Sequence, residues 1–340
     1  MTDAWKRQID RLHEGLVRRA DPTEWVIEAD AVDASRKYPH VALRGPVFGI
    51  ATQDAADGAA WRLLTPVTQG TPQDARDTLH SMLWFRAKDD TDDRAVRRAL
   101  LAAVAVLERE PADELEILGV RHRVVRGDEF ARSGDDGLEP PRPTDPEPAR
   151  VSWEERPYGD DRSADVGFAL DPDRETGFMA GAMRLALRGF AYTGARFPAD
   201  VRRESERAVR RHPDVVLLPV GFAVAERNGT GWRPRGALRA TPHDARLGLY
   251  HAMTEVWPLV HEFDEPERKR YARAAETLRK KRRVNDVRVG DRLFRVCRVE
   301  RFVRCGPDGP EPPRPSDLDA HEPMRMHPRM DEDGTVHHDD

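Results

Sequence analysis

Few residues in this chain have the type and spacing to do chemistry. The hexapeptide Thr241-Pro242-His243-Asp244-Ala245-Arg246 sets a hydroxyl, an imidazole, a carboxylate and a guanidinium side by side, as a nucleophile–base cluster would. Residues 71–76, however, read TPQDAR, so Gln73 stands where His243 does while Thr, Pro, Asp and Arg persist. Thr at the N-cap, Pro at N1 and Asp at N3 start a helix by satisfying free backbone N–H groups and meeting the positive end of its dipole. Thr71, Asp74, Thr241 and Asp244 are therefore expected as structural caps, with Arg76 and Arg246 as ion-pair partners. No catalytic residue is assigned.

His243, His251 and His261 with Glu262 lie along one helical region, but His243 and His251 are two turns apart, too far for one ion. The i, i+4 histidine pair of a zinc helix is missing, so no metal and no cofactor is expected. The terminal His337-His338-Asp339-Asp340 could scavenge a metal ion, as any such tail can. Neither GxSxG, GxGxxG nor GxxxxGK[ST] occurs, and acidic pairs such as Asp135-Asp136 read as solvated loop charge. Cys297 and Cys305 sit eight residues apart on an expected strand, beyond disulfide reach.

Arg279, Lys280, Lys281, Arg282 and Arg283 form the one concentrated basic run. It ends an expected helix, where cations offset the C-terminal dipole, and it is the candidate anion or nucleic-acid site. Its counterpart near Glu108-Arg109-Glu110 is not basic, and no aromatic residues are interleaved with it.

The elements that would position these residues come in pairs. Residues 123–145 (RVVRGDEFARSGDDGLEPPRPTD) and 295–317 (RVCRVERFVRCGPDGPEPPRPSD) match without a gap at 14 of 23 positions, where unrelated segments match at roughly one or two. Upstream, TPQDARDTL faces TPHDARLGL, Trp61 faces Trp232, and YPHVAL faces HPDVVL. Each copy reads as helix, hairpin, two helices, hairpin. The expected fold is α+β: two tandem copies, each a small antiparallel sheet covered by helices. The expected limits are 1–145 for the first copy, 146–176 for a Pro/Gly/Asp-rich strap, 177–317 for the second copy and 318–340 for a polar, loosely ordered tail. Trp153 and Tyr158 suit a strap laid over a surface. The PPRP segments (140–143 and 312–315) fit a PxxP ligand, and their place after both final strands favours a strap that ends the fold. Arginines recur at matched places: Arg123 and Arg295, Arg126 and Arg298, Arg132 and Arg304. Arg126 shares a side of the pleat with Phe130, so either a bulge intervenes or its stem lies along apolar surface.

Composition sets the outer limits. The chain has 340 residues, 39% hydrophobic and 34% charged, with a net charge of −5. That balance gives no bulk attraction to nucleic acid or anionic lipid. The charged N-terminus is not a signal peptide, and the run Ala99–Leu107 is about half of a membrane span. A cytoplasmic protein with no membrane partner is expected.

The segment EADAVDASRKYPHVALRGPVFGIATQ, the TPHDAR helix start and the GPDGPEPPRPSD ending together resemble a family of uncharacterised actinomycete proteins carrying a domain of unknown function. The resemblance covers nearly the whole chain and implies no activity and no functional residue. The leading expectation is a non-enzymatic binding or regulatory protein, its ligand or protein partner held between the two copies. One alternative is an enzyme of unrecognised type with its site in that cleft, favoured if titratable residues of both halves converge there. The other is a weak nucleic-acid accessory protein using residues 279–283.

Overall fold

Prolines bracket the first helix of the computed structural model, which describes residues 22–54, 60–148, 151–153, 163–229, 231–281 and 283–338. Helix α1 (Pro22–Lys37) starts on a proline and stops short of Pro39, because proline disfavours the helical region for its predecessor. Strand β1 (His40–Asp54) follows, then β2 (Trp61–Leu63), α2 (Pro72–Asp89), α3 (Arg94–Leu107), β3 (Glu114–Ile117), β4 (Val120–Gly134) and the short β5 (Gly137–Leu138). The second half runs α4 (Phe178–Arg188), α5 (Ala199–Arg211), β6 (Asp214–Leu217), β7 (Gly221–Asn228), β8 (Gly231–Arg239) and α6 (Pro242–His251). Helix α6 continues through a π turn at Ala252–Val256 into α7 (Trp257–Val260). Then come α8 (Glu265–Lys280), β9 (Asp286–Val289), β10 (Arg292–Gly306) and β11 (Gly309–Pro310), and the tail adds the pair β12 (Arg329–Met330) and β13 (Val336–His337).

The fold is α+β, but the strands do not form two small sheets. Those of both halves join in one antiparallel sheet with the path β2-β1-β4-β10-β7-β8. The two long strands β4 and β10 meet at its centre, Gly127 opposite Val303, Asp128 opposite Phe302, Glu129 opposite Arg301 and Phe130 opposite Glu300. Each strand is fifteen residues long, enough to hold its own hairpin partners and still leave unpaired backbone in the middle. An edge strand with open N–H and C=O groups is costly, so the two cover one another. The bulge lies in β1, between Leu43 and Gly45, where Gly45 takes φ 141°. Strand β4 keeps its alternation, and Arg126 stays on the side of Phe130, wholly buried.

Helices pack at the two ends of the sheet. Phe48, Ile50 and Val124 meet α2 and α3 in one core, and Phe222, Val224, Phe294 and Val296 meet α6 and α8 in another. The tail, expected to be loosely ordered, closes the first of these. Met330 is buried in that core, Trp84 Nε1 donates to the Pro328 carbonyl at 3.0 Å, and Glu332 pairs with Arg98 at 2.7 Å. Its scattered methionines, histidines and acids match the apolar and basic surface of α2 and α3. The strap closes the second core: Trp153 stands edge-on to His243 and Tyr250, at 5.1 and 5.6 Å. Tyr158 lies outside the described residues.

Closure by the tail buries His80, whose ring stacks on His327 with centroids 5.5 Å apart. Burial holds His80 below the usual histidine range, with Glu108 opposing, and burial lowers His122 and His212 as well. Below about pH 6.5 the unfolded chain takes up protons that these folded sites resist, so stability is lost as pH falls. Thermal unfolding is expected at a lower temperature at pH 5 than at pH 7.5, and His80→Gln should flatten that dependence. An unchanged slope in the variant would show that His80 is not one of the groups responsible.

Candidate functional site

Along the central pair β4–β10, the matched arginines Arg126 and Arg298 are each answered by an acid from the opposite half and one from their own strand. Arg126 donates to Asp317 at 2.9 Å, to Asp128 at 3.1 Å and to the Tyr192 hydroxyl at 3.1 Å. Arg298 donates to Asp145 at 3.2 Å and to Glu300. The backbone N–H of Arg126 donates to the Glu311 carbonyl, and that of Arg298 to the Glu139 carbonyl, both at 2.9 Å. Burial pushes the Tyr192 phenol up, and the Asp128 carboxylate beside it adds to the shift. The EPPRP-Thr/Ser-Asp stretches are thus clasps. In one, Glu139 pairs with Arg142 at 2.6 Å; in the other, Glu311 pairs with Arg314 at 2.7 Å. Each clasp lies on the other half's final strand. Arg123 likewise donates to the Asp308 and Pro310 carbonyls, at 2.8 and 3.1 Å, and Arg295 to those of Asp136 and Leu138, at 2.7 and 2.9 Å.

Cavities lie on both faces of the sheet at this join. Alternation along β4 turns Phe130 and Arg132 to one face and Glu129 to the other. On the helix side, α1 and α4 stand over the sheet and enclose a chamber of 620 Å³. Its apolar lining comes from both halves: Ile27, Val41 and Phe130 from the first, Met179, Met183 and Leu217 from the second. Val41 and Ile27 are 54% and 44% exposed, which marks an opening to solvent. The guanidinium of Arg132 lines this chamber and has no ion-pair or side-chain hydrogen-bond partner among the described residues. Arg304, at the matched position of β10, is fully buried and fully used. It donates to the carbonyls of Leu187 (2.9 Å), Phe190 (2.6 Å) and Arg188 (3.2 Å), closing the C-terminal end of α4.

On the opposite face lies a polar cleft of 320 Å³. Charged residues of both halves do converge here, Arg44 and Glu129 with Arg239, Asp244 and Arg301, joined by Asp165 of the strap. Each carboxylate is engaged. Glu129 accepts from Arg44 at 2.7 Å, Asp165 takes Arg301 through both oxygens, and Asp244 accepts from the Thr241 hydroxyl at 2.8 Å. A carboxylate locked in such a pair is a poor general base.

The capping residues sit at their helix starts. Thr71 accepts from the Asp74 N–H at 3.2 Å while Asp74 accepts from the Thr71 N–H at 3.0 Å. Thr241 accepts from the Asp244 N–H at 3.1 Å, without the return bond that completes the box. Thr71→Ala and Thr241→Ala should each lower the free energy of unfolding by about 1 kcal/mol, read by urea titration. No loss at either position would remove the capping role.

Residues of the basic run are strung along the surface. Arg279 and Lys280 end α8, Lys281 caps it, and Arg283 turns at φ 63° and donates to the Pro143 carbonyl at 3.3 Å. Arg282 lies outside the described residues. Sequence reasoning read Arg132 and Arg304 only as a matched structural pair, and the chamber between α1 and α4 had no sequence signal beyond the apolar spacing of Met179, Met183 and Leu187.

Among the described residues no helix is long and apolar enough to cross a membrane, and no group of three or more His, Cys, Asp or Glu side chains could hold a metal ion. No curated protein and no solved structure matches the chain. A family match does span residues 21–320, taking in both halves, both clasps and every residue that lines the chamber. The chain belongs to DUF5954, a family of unknown function.

Proposed function

We propose that this protein is a binding protein made of two copies of one unit, and that its ligand is a small amphipathic anion held in the chamber between them. The Arg132 guanidinium, which has no ion-pair or side-chain hydrogen-bond partner among the described residues, in a largely apolar chamber whose rim also carries Glu24, Glu28 and Glu300, is the observation that carries this reading. A buried or half-buried cation needs a counter-charge, and the matched Arg304 has its needs met by carbonyl groups. The chamber volume falls in the range of small-molecule sites, which are mostly apolar with a few placed polar groups. Met179 and Met183 give it an adaptable wall, suited to a flexible chain.

Duplication is supported by the exchange of equivalent contacts. Arg126 meets Asp317 as Arg298 meets Asp145, and the register of β4 against β10 is what a twofold axis through Glu129 and Arg301 would produce. A ligand at such a join would sense the relative position of both halves, which suits a regulatory role. A cytoplasmic setting fits the two buried, unpaired cysteines, whose thiols burial pushes up to about 12.

Titration calorimetry with dodecanoate tests the reading. Saturable binding at one site per chain is expected, weakened about 10- to 100-fold by Arg132→Gln, the value of one charge-assisted contact. Dodecanol should bind less tightly than dodecanoate. Equal affinity for the two, or no binding at all, would contradict it.

A further inference from the structure

The sheet path ends on β2 at one edge and on β8 at the other, and the two edges are finished differently. At β2 the strap runs alongside as a further strand. Arg62 pairs with Ala169, while the Leu63 N–H donates to the Phe168 carbonyl and the Leu170 N–H to the Trp61 carbonyl, both at 2.9 Å. Leu170 is thereby buried among Leu63, Val125, Val216 and Val303, with Phe168 packed against the same core. At β8 the register is the same, Ala225 opposite Pro234 as Ala51 is opposite Leu63. Among the described residues, however, no strand or bridge pairs with its outer edge.

The residues beneath that edge line a groove of 550 Å³ on the Glu129 face of the sheet. Strand pairing gives its walls their counterparts: Cys297 stands where Val125 does, Ala131 where Val303 does and Ala42 where Val216 does. Two exchanges run the other way, Ala223 for Gly49 and Val299 for Gly127, and return less volume than Leu170 and Phe168 supply. The groove is thus the core place of the first half with its plug missing and its walls drawn back. Its apolar lining forfeits dispersion contacts that an apolar occupant would restore.

Two features fix the kind of occupant. Pro234 lacks the N–H that Leu63 gives the strap, and a proline on an edge strand turns added strands away. A peptide laid along β8 would leave a carbonyl without its donor, so a small molecule suits the groove and an extended segment does not. The charged residues lining the groove, Arg44 and Glu129, meet one another at 2.7 Å, so they ask for no counter-charge. We propose that the groove binds a neutral, ring-bearing hydrophobic molecule, seated where Leu170 and Phe168 sit in the first half and bounded by Trp232. Its volume lies in the range of small-molecule sites. It shares only Phe130 with the Arg132 chamber and does not rest on that reading.

The test is fluorescence titration of the full chain with N-phenyl-1-naphthylamine, a neutral aromatic probe, which should bind saturably. Ala223→Leu and Ala131→Leu each put an apolar side chain into the groove, and each should weaken binding by about 10-fold or more. A melting temperature no lower than that of the parent checks that the filled variants are folded, and either one alone decides. Arg132→Gln, in the chamber, should change the affinity less than about threefold. In that variant the sulfonated analogue, 1-anilinonaphthalene-8-sulfonate, should bind about 10-fold more weakly than the neutral probe, because its charge finds no free cation in the groove. A capped Gly-Phe-Ala-Leu peptide, copying residues 167–170, should not displace the probe. Absence of saturable binding, undiminished binding by a folded filled variant, or equal affinity for the sulfonated analogue would overturn the proposal. So would displacement by the peptide, which would make β8 a docking edge for a protein segment instead.

Discussion

Asp317→Ala is expected to lower the free energy of unfolding by about 3 kcal/mol, because it leaves the buried Arg126 with one of its two carboxylates. Arg126 is 1% exposed, and Asp317, from the far clasp, supplies one of its two carboxylate partners at 2.9 Å. Removing one member of a buried pair leaves the other charged and desolvated, which costs more than the pair itself contributes. Asp145→Ala removes the equivalent partner of Arg298 and should act in the same direction. In a urea titration of either variant both halves should unfold in one transition, since each clasp binds the other half's strand. Two separated transitions would mean that the halves hold together independently of the clasps. Replacing Arg126, Asp128 and Asp317 together by apolar residues of similar size should recover much of the loss, as apolar substitutes often do for buried ionic clusters.

Gly309→Ala should be comparably severe. An added Cβ would lie 2.3 Å from Trp61 Nε1, and Gly309 takes φ 106°, a conformation that a side chain strains. Gly137 has the same relation to Trp232, at 2.7 Å and φ 98°. Overpacking and strain together amount to about 2–5 kcal/mol at each position. Both tryptophans are held under the arginines that cross the join, Arg123 lying 4.8 Å from the Trp61 ring and Arg295 5.3 Å from that of Trp232. Losses of similar size at the two glycines are expected in chemical denaturation. A large loss at one with none at the other would mean that the two contacts are not equivalent.

The elements were legible because local chemistry specifies them. Pro22 and Pro39 bracket α1, Thr71 and Thr241 open α2 and α6, and the alternation of Val287 and Val289 before Gly290 gives the β9–β10 hairpin. The single sheet was not legible. Nothing local in β4 says that its middle faces β10, because Gly127, Asp128 and Glu129 do not resemble an apolar strand interior. The polar character of the two acids is explained only by partners brought in by the fold, Arg44 for Glu129 and Tyr192 with Arg126 for Asp128. The ordered tail was hidden for the same reason: Met330, Pro328 and His327 are scattered among charges, and only the groove beside Trp84 makes them an apolar set. The chamber depends on α1 and α4 lying over the sheet centre, a tertiary placement with no period or motif. Arg132 itself was visible as a repeated residue, but its difference from Arg304 lies wholly in what surrounds it.

A crystal structure of the protein with dodecanoate tests the central claim, that the join of the halves is a ligand chamber organised by Arg132. The account predicts the carboxylate within about 3.5 Å of the Arg132 guanidinium, the hydrocarbon chain running between Phe130 and Met183, and the polar cleft around Glu129 and Arg301 without ligand. A carboxylate bound elsewhere, or a chamber filled by protein side chains with Arg132 paired internally, would contradict it.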